Sequence, residues 1–85
     1  MDEYKNPYKL YVAVTADYTP EGVILPVSFV WENGVRYTVD KIMDIRHAAS
    51  LKAGGAGVRY ACIVKGKPTY LFLEDDRWFM ERKGS

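Results

Sequence analysis

Cysteine and histidine are almost absent from this chain, which holds one of each among its 85 residues, Cys62 and His47. A single cysteine cannot form an internal disulfide, so the sequence predicts a reducing compartment, with the cytoplasm as the default location. A structural zinc site is also disfavoured, because it needs a cluster of cysteine or histidine ligands. The composition therefore predicts neither a metal nor another cofactor.

Long hydrophobic runs are also missing. No apolar stretch approaches the roughly 20 residues that a membrane-spanning helix needs. The first ten residues, MDEYKNPYKL, open with acidic side chains and lack the apolar core of a secretory signal. The sequence thus predicts no membrane partner. Its length allows a single domain over residues 1–85, with residues 1–7 and 82–85 expected to be flexible ends.

The chain as a whole has almost no net charge, but its middle third is basic. The net charge is +1, yet residues 36–67 contain seven basic and two acidic side chains. Residues 1–35 contain two basic and five acidic side chains, and residues 68–85 contain three and four. The middle of the chain is therefore the segment best suited to an anionic partner.

What the sequence does have is alternation of apolar and polar residues, which predicts about six strands and almost no helix. The strand segments are LYVAVTADY, VILPVSFVW, VRYTVDKIMDI, VRYACIV, TYLFLE and WFMER. The second segment is expected to place Val23, Leu25, Val27, Phe29 and Trp31 on one face. Pro26 cannot donate a backbone hydrogen bond, so we expect it at a sheet edge or a bulge.

The third segment changes phase after Lys41, because Ile42, Met43 and Ile45 cannot share one face of a flat strand. This predicts a bulge or bend near Lys41, or a short helix within residues 42–53. The last three segments are short and separated by tight turns, which predicts an antiparallel meander.

The hairpin around WENGVRY has two possible registers. A two-residue Asn33-Gly34 loop would set the apolar face of one strand beside the polar face of the next. A three-residue loop, residues 32–34 with Gly34 left-handed, pairs Trp31 with Val35 and continues one apolar face. A slip of one residue would turn every side chain over, so the second register is predicted.

These elements predict an all-β fold. About six antiparallel strands hide their edges most simply in a small open barrel of the SH3-like kind, or in a strongly bent sheet.

The segment RHAASLKAGGAGVRY is the longest stretch that follows neither period. Its glycines do not have the spacing of a Walker loop, and a strand rather than a helix follows them, which excludes a dinucleotide fingerprint. Two interpretations remain. The segment is a long connection, or its backbone approaches a phosphate with Lys52 and Arg59 supplying charge.

No combination of residues in the sequence forms a strong catalytic motif. The sequence therefore predicts a protein that is not an enzyme. Cys62 shares a strand face with apolar residues, so a buried inert thiol is favoured over a Cys62–His47 nucleophile pair. The three acids at residues 74–76 are expected to form a solvated turn. Asp40 is expected to be a cross-strand charge partner of Lys41 or Arg36 rather than a catalyst.

Basic residues interleaved with aromatic ones carry the functional hypothesis. The chain has twelve aromatic residues, more than one small core needs. Exposed aromatic and basic side chains are what small β-proteins use to bind single-stranded nucleic acid. The predicted partner is therefore DNA, RNA or a nucleoprotein. The predicted nucleic-acid-binding residues are Arg36, Arg46, Lys52, Arg59, Lys65 and Lys67. The alternative is a protein-interaction or self-association module that uses an exposed strand edge and surface tyrosines.

Three segments, VWENGVRYTVDKI, AASLKAGGAGVRY and RWFMER, also carry a pattern. It consists of Trp-x-x-Gly-x-x-Tyr-x-hydrophobic-Asp, a glycine-bearing loop and a terminal Trp-Phe-x-Glu. Its residues here are Trp31, Gly34, Tyr37, Val39, Asp40, Trp78, Phe79 and Glu81. After residue 20 the chain thereby resembles a family of short bacterial all-β proteins of unknown function. The resemblance implies no activity and no catalytic residues. It implies an association with DNA-repair polymerases, which adds slight weight to the nucleic-acid hypothesis.

Overall fold

The computed structural model describes residues 8–49 and 56–82, which form eight β-strands and no helix. The strands are β1 (Lys9–Tyr11), β2 (Ala13–Tyr18), β3 (Ile24–Val30), β4 (Arg36–Thr38), β5 (Lys41–Ala49), β6 (Ala56–Val64), β7 (Lys67–Glu74) and β8 (Arg77–Glu81). The predicted all-β class is confirmed. Nothing helical in the described ranges could serve as a membrane span.

The strands form two antiparallel sheets. One has five strands in the order β1-β8-β7-β6-β5, and the other has three in the order β2-β3-β4. The sheets do not close into a barrel, so the predicted SH3-like arrangement is not the observed one. The predicted meander is confirmed, because β6, β7 and β8 are consecutive neighbours.

Six predicted strands become eight because two of them pass from one sheet to the other. The first segment breaks at Val12, whose N–H donates to the carbonyl of Trp78 at 3.1 Å. The third breaks at residues 39–40, where the N–H of Asp40 donates to the carbonyl of Ile63 at 2.9 Å. The bend expected near Lys41 is therefore confirmed. A bend at Val12 was not expected, because alternation continues across it.

The main core lies between the facing surfaces of the two sheets. The five-stranded sheet contributes buried side chains from three strands, including Tyr60, Cys62 and Leu71. The three-stranded sheet contributes Phe29, with partly buried neighbours around it. Trp31 and Trp78 pack against this core. Burial of this apolar surface is what holds the two sheets together.

The predicted register of the β3–β4 hairpin is confirmed. The N–H of Trp31 donates to the carbonyl of Val35 at 3.0 Å, and Phe29 pairs with Tyr37. Gly34 has a φ of +81°, the left-handed conformation that the three-residue loop requires. The rings of Phe29 and Tyr37 stack at 5.7 Å, so the register continues the apolar face.

The predicted inward face of β3 is wrong on one side of a bulge. β2 pairs Thr15 with Ser28 and then Ala16 with Pro26, so Val27 is the extra residue. The bulge reverses the alternation, and Ile24 rather than Val23 packs against the core, while Val27 is exposed. Pro26 lies beside this bulge, as its missing N–H predicted.

The region predicted as a possible helix is a strand in its described part, since β5 extends to Ala49. A bulge at Met43 explains the change of phase, because β6 pairs Cys62 with Ile42 and Ala61 with Asp44. Residues 50–55, including Lys52 and two glycines of the loop, lie outside the described residues, as do residues 1–7 and 83–85.

Candidate functional site

The six basic residues predicted to bind nucleic acid fall into separate groups. Arg46 on β5 and Arg59 on β6 are direct cross-strand partners on the five-stranded sheet. Lys65 and Lys67 lie at the β6–β7 turn, and Arg36 lies on the three-stranded sheet. Lys52 lies outside the described residues. The structure thus pairs Arg46 with Arg59 and keeps Lys65 and Lys67 together at a turn, but it does not gather the described residues on one surface.

Arg36 and Lys65 have local contacts where they lie. The Nη1 of Arg36 donates to Ser28 Oγ at 3.0 Å and to Thr15 Oγ1 at 3.3 Å. The buried Ser28 thereby has a hydrogen-bond partner for its hydroxyl. The Nζ of Lys65 lies 5.7 Å from the centre of the Tyr37 ring. The backbone N–H of Lys65 donates to Asp40 Oδ2 at 2.9 Å, so Asp40 supports this turn instead of the expected partners Lys41 or Arg36.

Arg46 and Arg59 belong to the surface of the five-stranded sheet that faces away from the main core. Alternation fixes this, since Tyr60, Leu71 and Met80 point inward. One row of paired residues crosses all five strands, over about 19 Å at the usual strand spacing. The row is Arg46, Arg59, Phe72, Phe79 and Tyr11. We call this surface the outer face.

A pair of phenylalanines forms the middle of the outer face. The rings of Phe72 and Phe79 stack at 4.9 Å with planes 6° apart, and both residues are buried. Tyr11 approaches Phe79 edge-on, with ring centres 6.1 Å apart. This cluster is separate from the main core. Its two rings are closed to solvent, so the accessible aromatic rings of the outer face are those of Tyr11 and Tyr70.

Arginine–tyrosine pairs lie on both sides of the phenylalanines. The guanidinium carbon of Arg59 is 4.9 Å from the centre of the Tyr70 ring. That of Arg77 is 3.6 Å from the centre of the Tyr11 ring. Tyr70 and Tyr11 are 46% and 42% exposed, so their rings are open to solvent. These are cation–π contacts, which orient the guanidinium groups against the rings.

Two basic side chains of the outer face pair with carboxylates, and two others have no such partner among the described residues. Arg46 Nε is 2.6 Å from Asp44 Oδ2, and Lys9 Nζ is 2.9 Å from Glu74 Oε1. Within residues 8–49 and 56–82, no carboxylate pairs with Arg59 or Arg77. The Nε of Arg59 is buried and has no hydrogen-bond acceptor in those ranges.

Lys9 lies over the phenylalanine cluster. Its Nζ is 4.5 Å from the centre of the Phe79 ring. Burial lowers the pKa of Lys9, but hydrogen bonds to Glu74 and Tyr11 and the charges of these groups raise it more. The net shift of the pKa is upward, so the ammonium stays charged on the outer face.

Sequence reasoning missed Lys9, Tyr11, Tyr70 and Arg77 as members of this surface. One signal was available for Tyr70. The tight turn at Lys65-Gly66 sets the β6–β7 register, which places Ala61 opposite Tyr70 and Arg59 one diagonal step away. No local signal places β1 beside β8, because that pairing joins the two ends of the chain.

The Cys62–His47 pair considered from the sequence does not form. Cys62 is paired with Ile42, and His47 is paired with Val58, four residues further along β6. Cys62 is 1% exposed, and burial raises the pKa of its thiol to about 11. The thiol is therefore protonated and inaccessible at neutral pH, as expected of an inert cysteine. Asp75 and Asp76 are exposed in the β7–β8 turn, as expected. Glu74 departs from the prediction, because it is the last residue of β7 and forms an ion pair with Lys9.

A shallow open cavity of about 220 Å³ lies at one end of the space between the sheets. Its lining is mostly apolar and consists of Phe29, Trp31, Tyr37, Val64, Thr69 and Met80. This lining includes neither His47 nor a carboxylate. The described residues contain no group of three or more potential metal ligands.

No family model, no curated protein and no solved structure matches this chain. The resemblance to short bacterial all-β proteins stays a prediction.

Proposed function

We propose that this protein binds single-stranded nucleic acid on the outer face of its five-stranded sheet. The observation that carries the proposal is the pair of arginine–tyrosine contacts, Arg59 with Tyr70 and Arg77 with Tyr11. They lie on either side of a stacked phenylalanine pair. Cations next to exposed rings on a sheet surface are the two components that such binding needs.

The arginines supply the electrostatic part. Arg59 and Arg77 have no carboxylate partner within the described residues, so a phosphate does not have to displace one. The guanidinium group of Arg59 lies against the partly exposed ring of Tyr70. A phosphate oxygen is an acceptor that suits a guanidinium well.

The tyrosines supply the stacking part. Tyr11 and Tyr70 are both on the outer face and both partly open to solvent. A base can stack on such a ring only when it is unpaired, which is why the proposal specifies single strands. Each stacked base contributes roughly 1–3 kcal/mol by alanine substitution.

The test is fluorescence anisotropy with labelled single-stranded DNA and RNA and a matched duplex, at low salt. We expect single strands to bind more tightly than the duplex. Tyr70→Ala should weaken binding by roughly 5–150-fold, the range for one stacked base. Arg59→Ala should weaken it as well. Tyr18→Ala and Lys67→Ala are the controls, since they remove an exposed ring and a charge away from the outer face.

Two results would contradict the proposal. One is the absence of binding to any of the probes at low salt. The other is equal weakening by the control substitutions, which would mean that charge and rings act irrespective of their place on the molecule.

A further inference from the structure

The β5 edge of the five-stranded sheet is long and partly apolar. β5 has nine residues and, within the described ranges, pairs with β6 alone. Met43 is 57% exposed and Ile45 is 41% exposed. An open edge offers unpaired backbone N–H and C=O groups, and apolar side chains on it favour pairing with another strand.

Charges on β5 are arranged so that the strand complements itself. Asp44 and Arg46 flank Ile45 and lie on the same face, where they form an ion pair of 2.6 Å. If two such strands run antiparallel with Ile45 opposite Ile45, Asp44 of each copy lies opposite Arg46 of the other. Opposite charges in direct cross-strand positions stabilise a sheet.

We propose that β5 pairs antiparallel with β5 of a second copy of this chain, in the register centred on Ile45. The two five-stranded sheets then continue into one sheet across the two-fold axis. The three central pairs use residues 44–46, which follow the bulge at Met43 and are regular. This inference does not depend on the binding of nucleic acid.

The charge pattern argues for a second copy over an unrelated strand. A two-fold axis through Ile45 makes both cross-strand pairs from the same two residues, Asp44 and Arg46, with no other partner required. Such self-complementarity is the property of an isologous interface.

The test is sedimentation equilibrium of the full chain and of two charge-reversed variants, Asp44→Arg and Arg46→Asp. We expect the wild type to dimerise reversibly with concentration. Each variant alone sets like charges opposite each other twice, so its dimer should be roughly tenfold weaker or more. Far-UV circular dichroism and melting curves check that each variant is folded.

An equimolar mixture of the two variants is the decisive sample. In the mixed dimer, the arginine introduced by Asp44→Arg faces the aspartate that Arg46→Asp introduces in the other chain. The unchanged Arg46 of the first variant faces the unchanged Asp44 of the second. The ion pair within each chain stays broken in both variants, so only pairs between chains can restore association. We expect the mixture to dimerise nearly as tightly as the wild type.

Three results would overturn the inference. The first is a wild type that remains monomeric at about 1 mM, where even weak dimers form. The second is a dimer that neither variant weakens, which would place the interface elsewhere. The third is a folded mixture that associates no better than the variants do separately.

Discussion

Tyr60 Oη donates a hydrogen bond of 2.7 Å to the backbone carbonyl of Ile24. This bond joins β6 of the five-stranded sheet to β3 of the three-stranded sheet. Tyr60 is buried, and its ring lies 5.1 Å from that of Trp78. Tyr60 therefore packs its ring in the core, while its hydroxyl forms a hydrogen bond that joins the two sheets.

Replacing Tyr60 with Phe should reduce the free energy of unfolding by about 1 kcal/mol, the usual net contribution of one hydrogen bond to stability. The ring and its packing remain, so the change isolates the hydroxyl. Urea denaturation measures the loss. Tyr70→Phe, which removes an exposed hydroxyl, is the matched control and should have little effect. Equal stabilities of the wild type and Tyr60→Phe would show that the bond contributes nothing.

Alkaline pH should destabilise the fold through Cys62. Burial raises the pKa of its thiol from 9.0 to about 11, so the folded state keeps a proton that the unfolded state loses. The associated stability is complete below pH 9 and declines between pH 9 and 11, by about 3 kcal/mol in total. Burial also raises the pKa of the Tyr60 hydroxyl.

The measurement is urea denaturation of the wild type and Cys62→Ala across this pH range. Because Tyr60 contributes in both proteins, the difference in pH slope reports Cys62. Parallel slopes would refute a raised thiol pKa.

Gly57 is required because β6 approaches β7 closely there. A Cβ at this position would meet the backbone carbonyl oxygen of Leu73 in a severe clash, and the Cα of Glu74 at 3.1 Å. Gly57→Ala should therefore destabilise the protein by roughly 1–3 kcal/mol, the cost of overpacking. Gly22→Ala is the comparison. It has a φ of +89° and open space around it, so it should cost only about 1–2 kcal/mol of backbone strain.

Thermal and urea unfolding of the two glycine variants checks this difference in mechanism. Strain at Gly22 is relieved by a residue that tolerates positive φ, so Gly22→Asn should recover stability. Gly57→Asn should not recover, and recovery there would contradict the close approach of the strands.

Local chemistry made part of this fold predictable. The β3–β4 register follows from residues 32–34, where a left-handed glycine and the apolar face agree on one loop length. Alternation did not predict the bulge at Val27. The apolar residues of this segment continue at every second position through the bulge, so the sequence pattern shows no break there. Pro26 indicated a sheet edge or a bulge nearby, and the pairing with β2 shows that Val27 is the extra residue.

The candidate site was predictable to a smaller extent. Arg46 and Arg59 were identified by charge, but their pairing depends on the long hairpin between β5 and β6. Lys9, Tyr11 and Arg77 join the same surface only because β1 pairs with β8, close to the other end of the chain. Contacts between residues so far apart leave no local pattern.

Asp44 limits the charge of the outer face by pairing with Arg46 at 2.6 Å. Asp44→Asn should release this arginine and remove a negative charge, so single-stranded nucleic acid should bind more tightly. One further phosphate contact would steepen the dependence of log affinity on log salt by about 0.7. Anisotropy titrations at several salt concentrations measure this slope. Asp17→Asn, on the other sheet, is the control and should change little. Weaker binding by Asp44→Asn would contradict the assigned role.

The most direct test of binding on the outer face compares the salt dependence of single-strand binding in three proteins. They are the wild type, the double variant Arg59→Gln/Arg77→Gln and the double variant Lys65→Gln/Lys67→Gln. Both variants lose two positive charges, but only the first loses them from the outer face. We expect the slope of log affinity against log salt to fall by about 1.4 in the first variant, which loses two phosphate contacts on a single strand, and to stay near the wild-type value in the second. Equal slopes in the two variants would contradict binding on the outer face.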